Sequence, residues 1–307
     1  MKQQPQHSQW KGTTDGTPWM QRTLVRCLGW MNLPFVYTGM AIFAVPFYML
    51  FNHQGYLSQY HFFRRRFGHS PLRSFFDVYA NHFRFGQIIL DRFAVYGGAR
   101  DFQVTIDGNE HFLQLCSQPE GFMQLSSHVG NFELAGYLLA QDKKTINSLI
   151  FGGETGTVMQ NRIRIFKEMN IKLIAVGTDM SHVFEMNRAL SDGEVISMPG
   201  DRIFGSQKAI RCRFFGAEAD FPMGPYILAA SREVPMMSIF VMKDSVYRYH
   251  IYVQRIEPPH DIRGAKARAA AMAQEFACQL EGIVRRYPHQ WFNYYEFWND
   301  KEKTIND

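Results

Sequence analysis

The chain has 307 residues and a formal net charge of +5, with 20% charged and 46% hydrophobic residues, among them 27 Phe and 14 Tyr. That apolar content excludes a disordered chain, and the length suits one main domain with an accessory segment. The positive balance points to an anionic surface; with many aromatics and no nucleic-acid-binding motif, phospholipid is expected and RNA or DNA is not.

Residues 1–19 are polar and read as a flexible arm without the compact basic and apolar regions of a cleavable leader, so export is not expected. Residues 20–97 read as a helical, membrane-associated segment. Within it Leu33 to Phe51 carries no charge and as a helix spans about 28 Å, close to the roughly 30 Å of a bilayer core. Pro46 is expected to kink or break it. Arg22 and Arg26 precede the stretch, and the heavier cluster of Arg64, Arg65, Arg66 and Arg73 follows. If the stretch spans, the positive-inside tendency leaves the bulk of the chain cytoplasmic; if it lies in the interface, the same arginines meet anionic lipid. A buried helical hairpin is the plain alternative.

Ser70-Pro71 signals a helix start, and Leu72, Phe75, Phe76, Tyr79, Phe83 and Leu90 keep helical spacing, a stripe that ordinarily packs on a core and alternatively forms one wall of an acyl-chain groove. From residue 98 to 300 strands and helices alternate. Strands are expected over 102–106, 122–125, 145–151, 171–176, 194–198, 209–215, 236–242 and 246–253, and helices over 132–140, 157–169, 179–190, 223–232 and 265–286. This pattern predicts an α/β domain with a central, mostly parallel sheet flanked by helices, whose sites lie at the C-terminal strand ends. Cys27, Cys116, Cys212 and Cys278 form no CxxC pair, so neither a metal site nor a disulfide framework is indicated.

The chemistry concentrates in Ser126-Ser127-His128-Val129-Gly130-Asn131-Phe132-Glu133. A strand ends and a helix begins there, with Gly130 making the turn and Asn131 placed as an N-cap. Glu133 in the first helical turn can point back to His128, fix its tautomer and raise its pKa toward neutrality, which makes a general base with its orienting group. Ser127 is the rival nucleophile, though it lacks a G-x-S-x-G elbow; alternatively it ends the strand or binds phosphate. Asp201 and Arg202 follow another strand, where they either contact a substrate headgroup or pair with each other. Arg211 and Arg213 share one strand face, either as a landing site for a phosphopantetheine or acidic carrier or as a solvated sheet edge.

His-x4-Glu followed by Asn-Phe-Glu-Leu-Ala resembles the catalytic motif of the bacterial lysophospholipid acyltransferase superfamily, in particular its lipid A late acyltransferase branch. Three later blocks occur in matching order: Pro199 to Gly205; Arg213 to Ala217 with Pro222 to Ala229; and Arg286 to Phe292. In the last block the family commonly has glutamate where His289 stands. The resemblance implies a cofactor-free acyltransferase at the cytoplasmic face of a bacterial inner membrane. It would move a fatty acyl group from acyl-carrier protein or acyl-CoA to a hydroxyl or amine of a lipid acceptor similar to a lipid A precursor. It implies a His128–Glu133 dyad aided by a basic residue, Arg164 first and Arg162 second. Ser127, Asn131, Arg162, Asp201, Arg202, Arg211 and Arg213 are the expected substrate contacts. Two rivals are a serine hydrolase or thioesterase using Ser127 and a non-catalytic membrane scaffold.

Overall fold

The structure, a computed structural model, describes residues 23, 26–51, 53–96, 98, 101–135, 144–151, 170–176, 180–203, 208–258 and 261–298. The expected arm at 1–19 and the expected helix over 157–169 lie outside them, as does most of the one expected over 132–140.

The apolar stretch is one helix, α1 (Leu33–Phe51), and Pro46 does not end it. The turn before the proline widens into a π-helix over Met40–Ala44, where Val45 N–H bonds the Met40 carbonyl five residues back. A wider turn absorbs the hydrogen bond and the space that a proline ring takes from an α-helix. Leu33, Tyr37 and Val45 face inward, whereas Phe43 (75%), Phe47 (63%) and Leu50 (79%) are largely exposed. Next come α2 (His53–Arg66), which the sequence reading did not mark, and α3 (Pro71–Tyr96), opened by Ser70. The Ser70 Oγ accepts the Arg73 N–H at 3.4 Å, a capping contact on an orphan donor.

The stripe expected to bury α3 does the reverse over its first half. Leu72 (69%), Phe75 and Phe76 (59%) face out, while Ser74, Asp77, Val78 and Asn81 face in. The inner side of α3 meets carbonyl groups of the chain's last segment, which need donors. Asn81 Nδ2 donates to Trp291 O at 2.9 Å and to His289 O at 3.3 Å, so a polar face is the one that can be buried there.

The α/β part follows as β1 (Gln103–Asp107), α4 (Asn109–Ser117), β2 (Phe122–Ser126), β3 (Ile146–Phe151), β4 (Ile171–Val176), α5 (Ser181–Ser191), β5 (Val195–Pro199), β6 (Ala209–Phe214), β7 (Ala217–Pro222), α6 (Met223–Arg232), β8 (Met236–Ser245), β9 (Arg248–Ile256) and α7 (Ala265–Arg286). Seven strands make one sheet in the order β1-β9-β8-β2-β5-β3-β4. All neighbours are parallel except the β8–β9 hairpin. Residues 122–126 are wholly buried, as a central strand covered on both faces requires. The strand expected over 209–215 is β6, which stands outside this sheet and pairs with β7 through a tight Phe215-Gly216 turn in which both φ angles are positive.

Two cores cover the two faces. One is formed by Met123, Leu125, Ile196 and Phe240 under α6 and α7, the other by Phe122, Val195, Ile239 and Ile251 under α4. Trp291, Phe297 and Trp298 are buried around Phe62 and Phe214.

A buried ion pair fixes the N-terminal helices to the sheet. Lys243 Nζ of β8 lies 2.5 Å from Asp91 Oδ2 of α3, and both side chains are inaccessible. Asp91 also accepts the hydroxyls of Tyr249, at 2.5 Å, and of Tyr37. Burial pushes the Asp91 carboxyl up and the Lys243 ammonium down, each opposed by the partner's charge. Lys243→Met leaves that carboxylate without its cation and is expected to destabilise the fold by about 3–5 kcal/mol, read by denaturant unfolding in detergent; a loss under about 1 kcal/mol would show that the tyrosines alone satisfy Asp91.

Candidate active site

The register of β2 and β5 builds the site. They are parallel neighbours with Ser126 opposite Pro199, and Gly200 N–H continues the ladder by donating to Ser126 O at 2.8 Å. Two residues beyond each strand end stand His128 and Asp201. His128 Nδ1 is 2.9 Å from Asp201 Oδ1. The other carboxylate oxygen accepts the Ser127 hydroxyl at 2.9 Å and the His128 backbone N–H at 3.0 Å.

The Asp201 side chain is fully buried, while the imidazole keeps 16% of its surface. Burial opposes ionisation of Asp201, but the neighbouring His128 and Arg202 and the hydrogen bonds outweigh it and hold the carboxyl at about 2. Burial lowers the pKa of His128 below its ordinary 6.5, Arg202 lowers it further, and Asp201 opposes both. The imidazole is therefore neutral at pH 7. With Nδ1–H donated to the carboxylate, its basic lone pair is on Nε2, the arrangement of a general base.

The loop carrying His128 is gripped from behind. Gly130 has φ +51°, and a Cβ there would lie 2.1 Å from the Val241 carbonyl oxygen, so only glycine fits. Gly130 N–H donates to Gln290 O at 2.8 Å, Asn131 N–H to Val241 O at 2.7 Å, and Phe292 N–H to His128 O at 2.9 Å. The block from Tyr287 to Phe292 is thus a strap for the histidine loop. His289, the departure from the family pattern, makes a local contact: its Nε2 lies 2.8 Å from Asp77 Oδ1, and His69 takes the other oxygen.

The expected partner of His128 is corrected by this geometry. The carboxylate on Nδ1 belongs to Asp201, while Glu133 accepts a 2.5 Å hydrogen bond from Arg92 Nη1 of α3. Glu133 still favours the charged imidazole through space, after Asp201. The expected rise in the imidazole pKa is likewise reversed, because burial outweighs the acids. Sequence spacing singled out the near carboxylate; strand pairing, which spacing does not carry, brings in the distant one. Arg92 was missed altogether and had no motif to mark it.

Asp201 is not a headgroup contact, since it is sealed beneath the ring. Arg202 donates from Nη2 to Phe292 O at 2.7 Å and lies over the Tyr295 ring at 5.5 Å. Ser127 is buried with its hydroxyl on Asp201, so the nucleophile reading fails for want of access. Asn131 is buried too. Its amide reaches the Tyr249 hydroxyl at 3.2 Å, and among the described residues its Oδ1 accepts no hydrogen bond, so the side chain does not act as the expected N-cap. Arg211 and Arg213 occupy the exposed face of the β6–β7 hairpin, where Asp220 and Glu218 approach Arg211 to 3.4 and 3.5 Å. Arg162 and Arg164 lie outside the described residues. Among the described residues no cluster of three or more His, Cys, Asp or Glu could hold a metal ion.

A mostly parallel sheet with a carboxylate-held histidine at its strand ends defines an acyltransferase, given the family to which the sequence matches. The profile of the bacterial lipid A biosynthesis acyltransferases covers residues 97–299, and the chain belongs to that family. Among solved structures, it is similar to the 1-acyl-sn-glycerophosphate (LPA) acyltransferase PlsC from Thermotoga maritima. That likeness has 11% identity and a TM-score of 0.39, over 89% of this chain and 99% of that one. No curated protein sequence matches the chain significantly.

The two carboxylates are separable by titration. Asp201→Asn removes a charge that raises the His128 pKa, so the imidazole should titrate at a lower pH than in the wild type; Glu133→Gln should move it less. The His128 resonance in selectively labelled protein reads both. A larger displacement in Glu133→Gln would return the orienting role to Glu133.

Proposed function

We propose that the chain transfers a fatty acyl group from a thioester of acyl-carrier protein or coenzyme A to a hydroxyl or amine of an amphiphilic acceptor similar to a lipid A precursor, with His128 as general base and Asp201 as its orienting carboxylate. The acceptor's proton passes to His128 Nε2 as its oxygen or nitrogen attacks the thioester carbonyl. The tetrahedral intermediate collapses with cleavage of the C–S bond, and the imidazolium returns the proton to the departing thiolate. Products are the acylated lipid and a free thiol, with no acyl-enzyme. Asp201 stabilises the imidazolium while it exists, and Glu133 adds to that field from its pairing with Arg92. Donors for the oxyanion are assigned to Arg164, with Arg162 second, on the family resemblance.

The observation that carries this reading is the 2.9 Å contact between His128 Nδ1 and Asp201 in a chain of this family. The test is transfer from labelled acyl-carrier protein and labelled acyl-CoA to a bacterial lipid extract. His128→Ala is expected to retain its fold and lose at least about 100-fold in rate. In the wild type the acid limb of the rate profile should fall below pH 6.5, because the base is lost as pH drops through a depressed imidazole pKa. Unchanged transfer by His128→Ala would refute the assignment.

In this reading the enzyme works at the cytoplasmic face of a bacterial inner membrane. The support is α1, long and apolar enough to cross a bilayer by length and composition, with its exposed Phe43, Phe47 and Leu50 and the basic end of α2 at Arg64, Arg65 and Arg66. Replacing Phe43 and Phe47 together by Asp should weaken sedimentation with phosphatidylglycerol vesicles by about tenfold or more. Retention equal to the wild type would remove α1 from the membrane contact.

A further inference from the structure

Behind the histidine loop, α1, α3 and the β8–β9 hairpin, far apart in sequence, meet on one carboxylate. Tyr37 from α1 donates its hydroxyl to Asp91 Oδ1. Asp91 Oδ2 takes Lys243 Nζ at 2.5 Å and the Tyr249 hydroxyl at 2.5 Å. The Tyr249 oxygen in turn accepts Asn131 Nδ2 at 3.2 Å. Asn131 is three residues beyond His128 and is fully buried. A chain of hydrogen bonds thus runs from the apolar helix to the loop that presents the imidazole.

We propose that Tyr37, Asp91 and Tyr249 are positioning residues, through which the seating of α1 sets the place of Asn131 and so of His128 over Asp201. The inference rests on the proposed acyl transfer for its kinetic part only. Three properties suit the network to this task. Its three bonds to Asp91 are charge-assisted and all its members are buried, which makes it stiff. Its path is short, with Asp91 and Tyr249 as the two side chains between Tyr37 and Asn131. The same lysine also joins the network to the strap, since Lys243 N–H donates to Gln290 Oε1 at 2.9 Å and Gln290 Nε2 donates back to Lys243 O at 2.8 Å. Gln290 is the residue whose carbonyl holds Gly130. Asn131 and Gly130 are therefore both referred to Lys243 and its carboxylate partner. A misplacement well under 1 Å at the imidazole is enough to slow a proton transfer that depends on alignment.

Tyr37→Phe tests this with the least disturbance, because it keeps the ring and removes one hydroxyl. The full chain in detergent micelles should lose about tenfold in kcat with KM for both substrates within about twofold, as expected for displaced catalytic geometry. The His128 resonance should titrate at a pH displaced from the wild type. Tyr249→Phe should do the same, and Thr38→Val, which alters an exposed neighbour on α1, should leave both readouts unchanged. Wild-type kcat and wild-type imidazole titration in Tyr37→Phe would overturn the proposal. So would equal effects from Thr38→Val, which would mean that any change in α1 suffices. Absence of transfer by the wild type would instead count against the proposed function, while the imidazole titration still decides the positioning role.

Discussion

The site depends on one contact, between an imidazole and a carboxylate that the parallel pairing of β2 and β5 carries to the same edge. A sealed carboxylate is costly unless its oxygens are filled. Asp201 has His128 Nδ1 on one oxygen and Ser127 Oγ with the His128 amide on the other. Filling these positions keeps the carboxyl ionised at about 2 and fixes the tautomer of the ring. The same burial holds the imidazole neutral, the state that the proposed base requires. The two effects belong to one environment, read with opposite sign by an acid and a base.

Around that contact the molecule is organised as a support for a backbone loop. The segment from His289 to Asn293 lies between the N-terminal helices and the histidine loop and is bonded to both. Gln59 Nε2 of α2 donates to the carbonyls of Trp291 and Asn293, and Asn81 of α3 donates to those of His289 and Trp291. On its other side the strap bonds Gly130 and His128 and forms the Val129–Trp291 bridge. Trp291, fully buried among Phe62, Phe214 and Trp298, anchors its middle. The helices before residue 97 are thus structural partners of the active loop, although the matched family region begins only at 97.

Much of this was legible in sequence and some was not, for definable reasons. The helices 223–232 and 265–286 and the strand 171–176 coincide with their expected limits because periodicity, Pro222, Gly264 and the flanking charges act locally. His128 at a strand end followed from an apolar run meeting Gly130. What sequence could not show was which strands are neighbours. β2 and β5 are separated by some seventy residues, and their adjacency alone decides that Asp201, and not the nearby Glu133, meets Nδ1. The β6–β7 hairpin was missed similarly, because the alternation in Ala209 to Phe214 looks the same in a ribbon and in a central sheet. The face of α3 was misread for a different reason: its inner surface meets backbone carbonyls, and there hydrogen-bond demand overrides the usual apolar rule.

That inversion bears on the surroundings of the N-terminal layer. A helix lying between a protein core and water normally buries its apolar side. The first half of α3 buries Ser74, Asp77 and Asn81 and turns Leu72, Phe75 and Phe76 outward, while α1 beside it turns out Phe43, Phe47 and Leu50. Exposed aromatic area of this extent on two adjoining helices is unfavourable in water, at about 25 cal/mol for each Å², and contiguous patches of this kind mark interaction surfaces. An acyl chain or a bilayer removes the cost without any change in the protein. Under the proposed membrane contact, the arginines at the end of α2 and Arg73 would meet anionic headgroups; Arg66 has its guanidinium 4.3 Å from the centre of the Trp298 ring. The exposed apolar surface and the strap behind His128 therefore share the same helices. Lipid binding and catalytic geometry need not be separate properties of this chain, because Tyr37 on α1 and Asn81 on α3 each reach inward from the apolar layer to the backbone and side chains that hold the histidine loop.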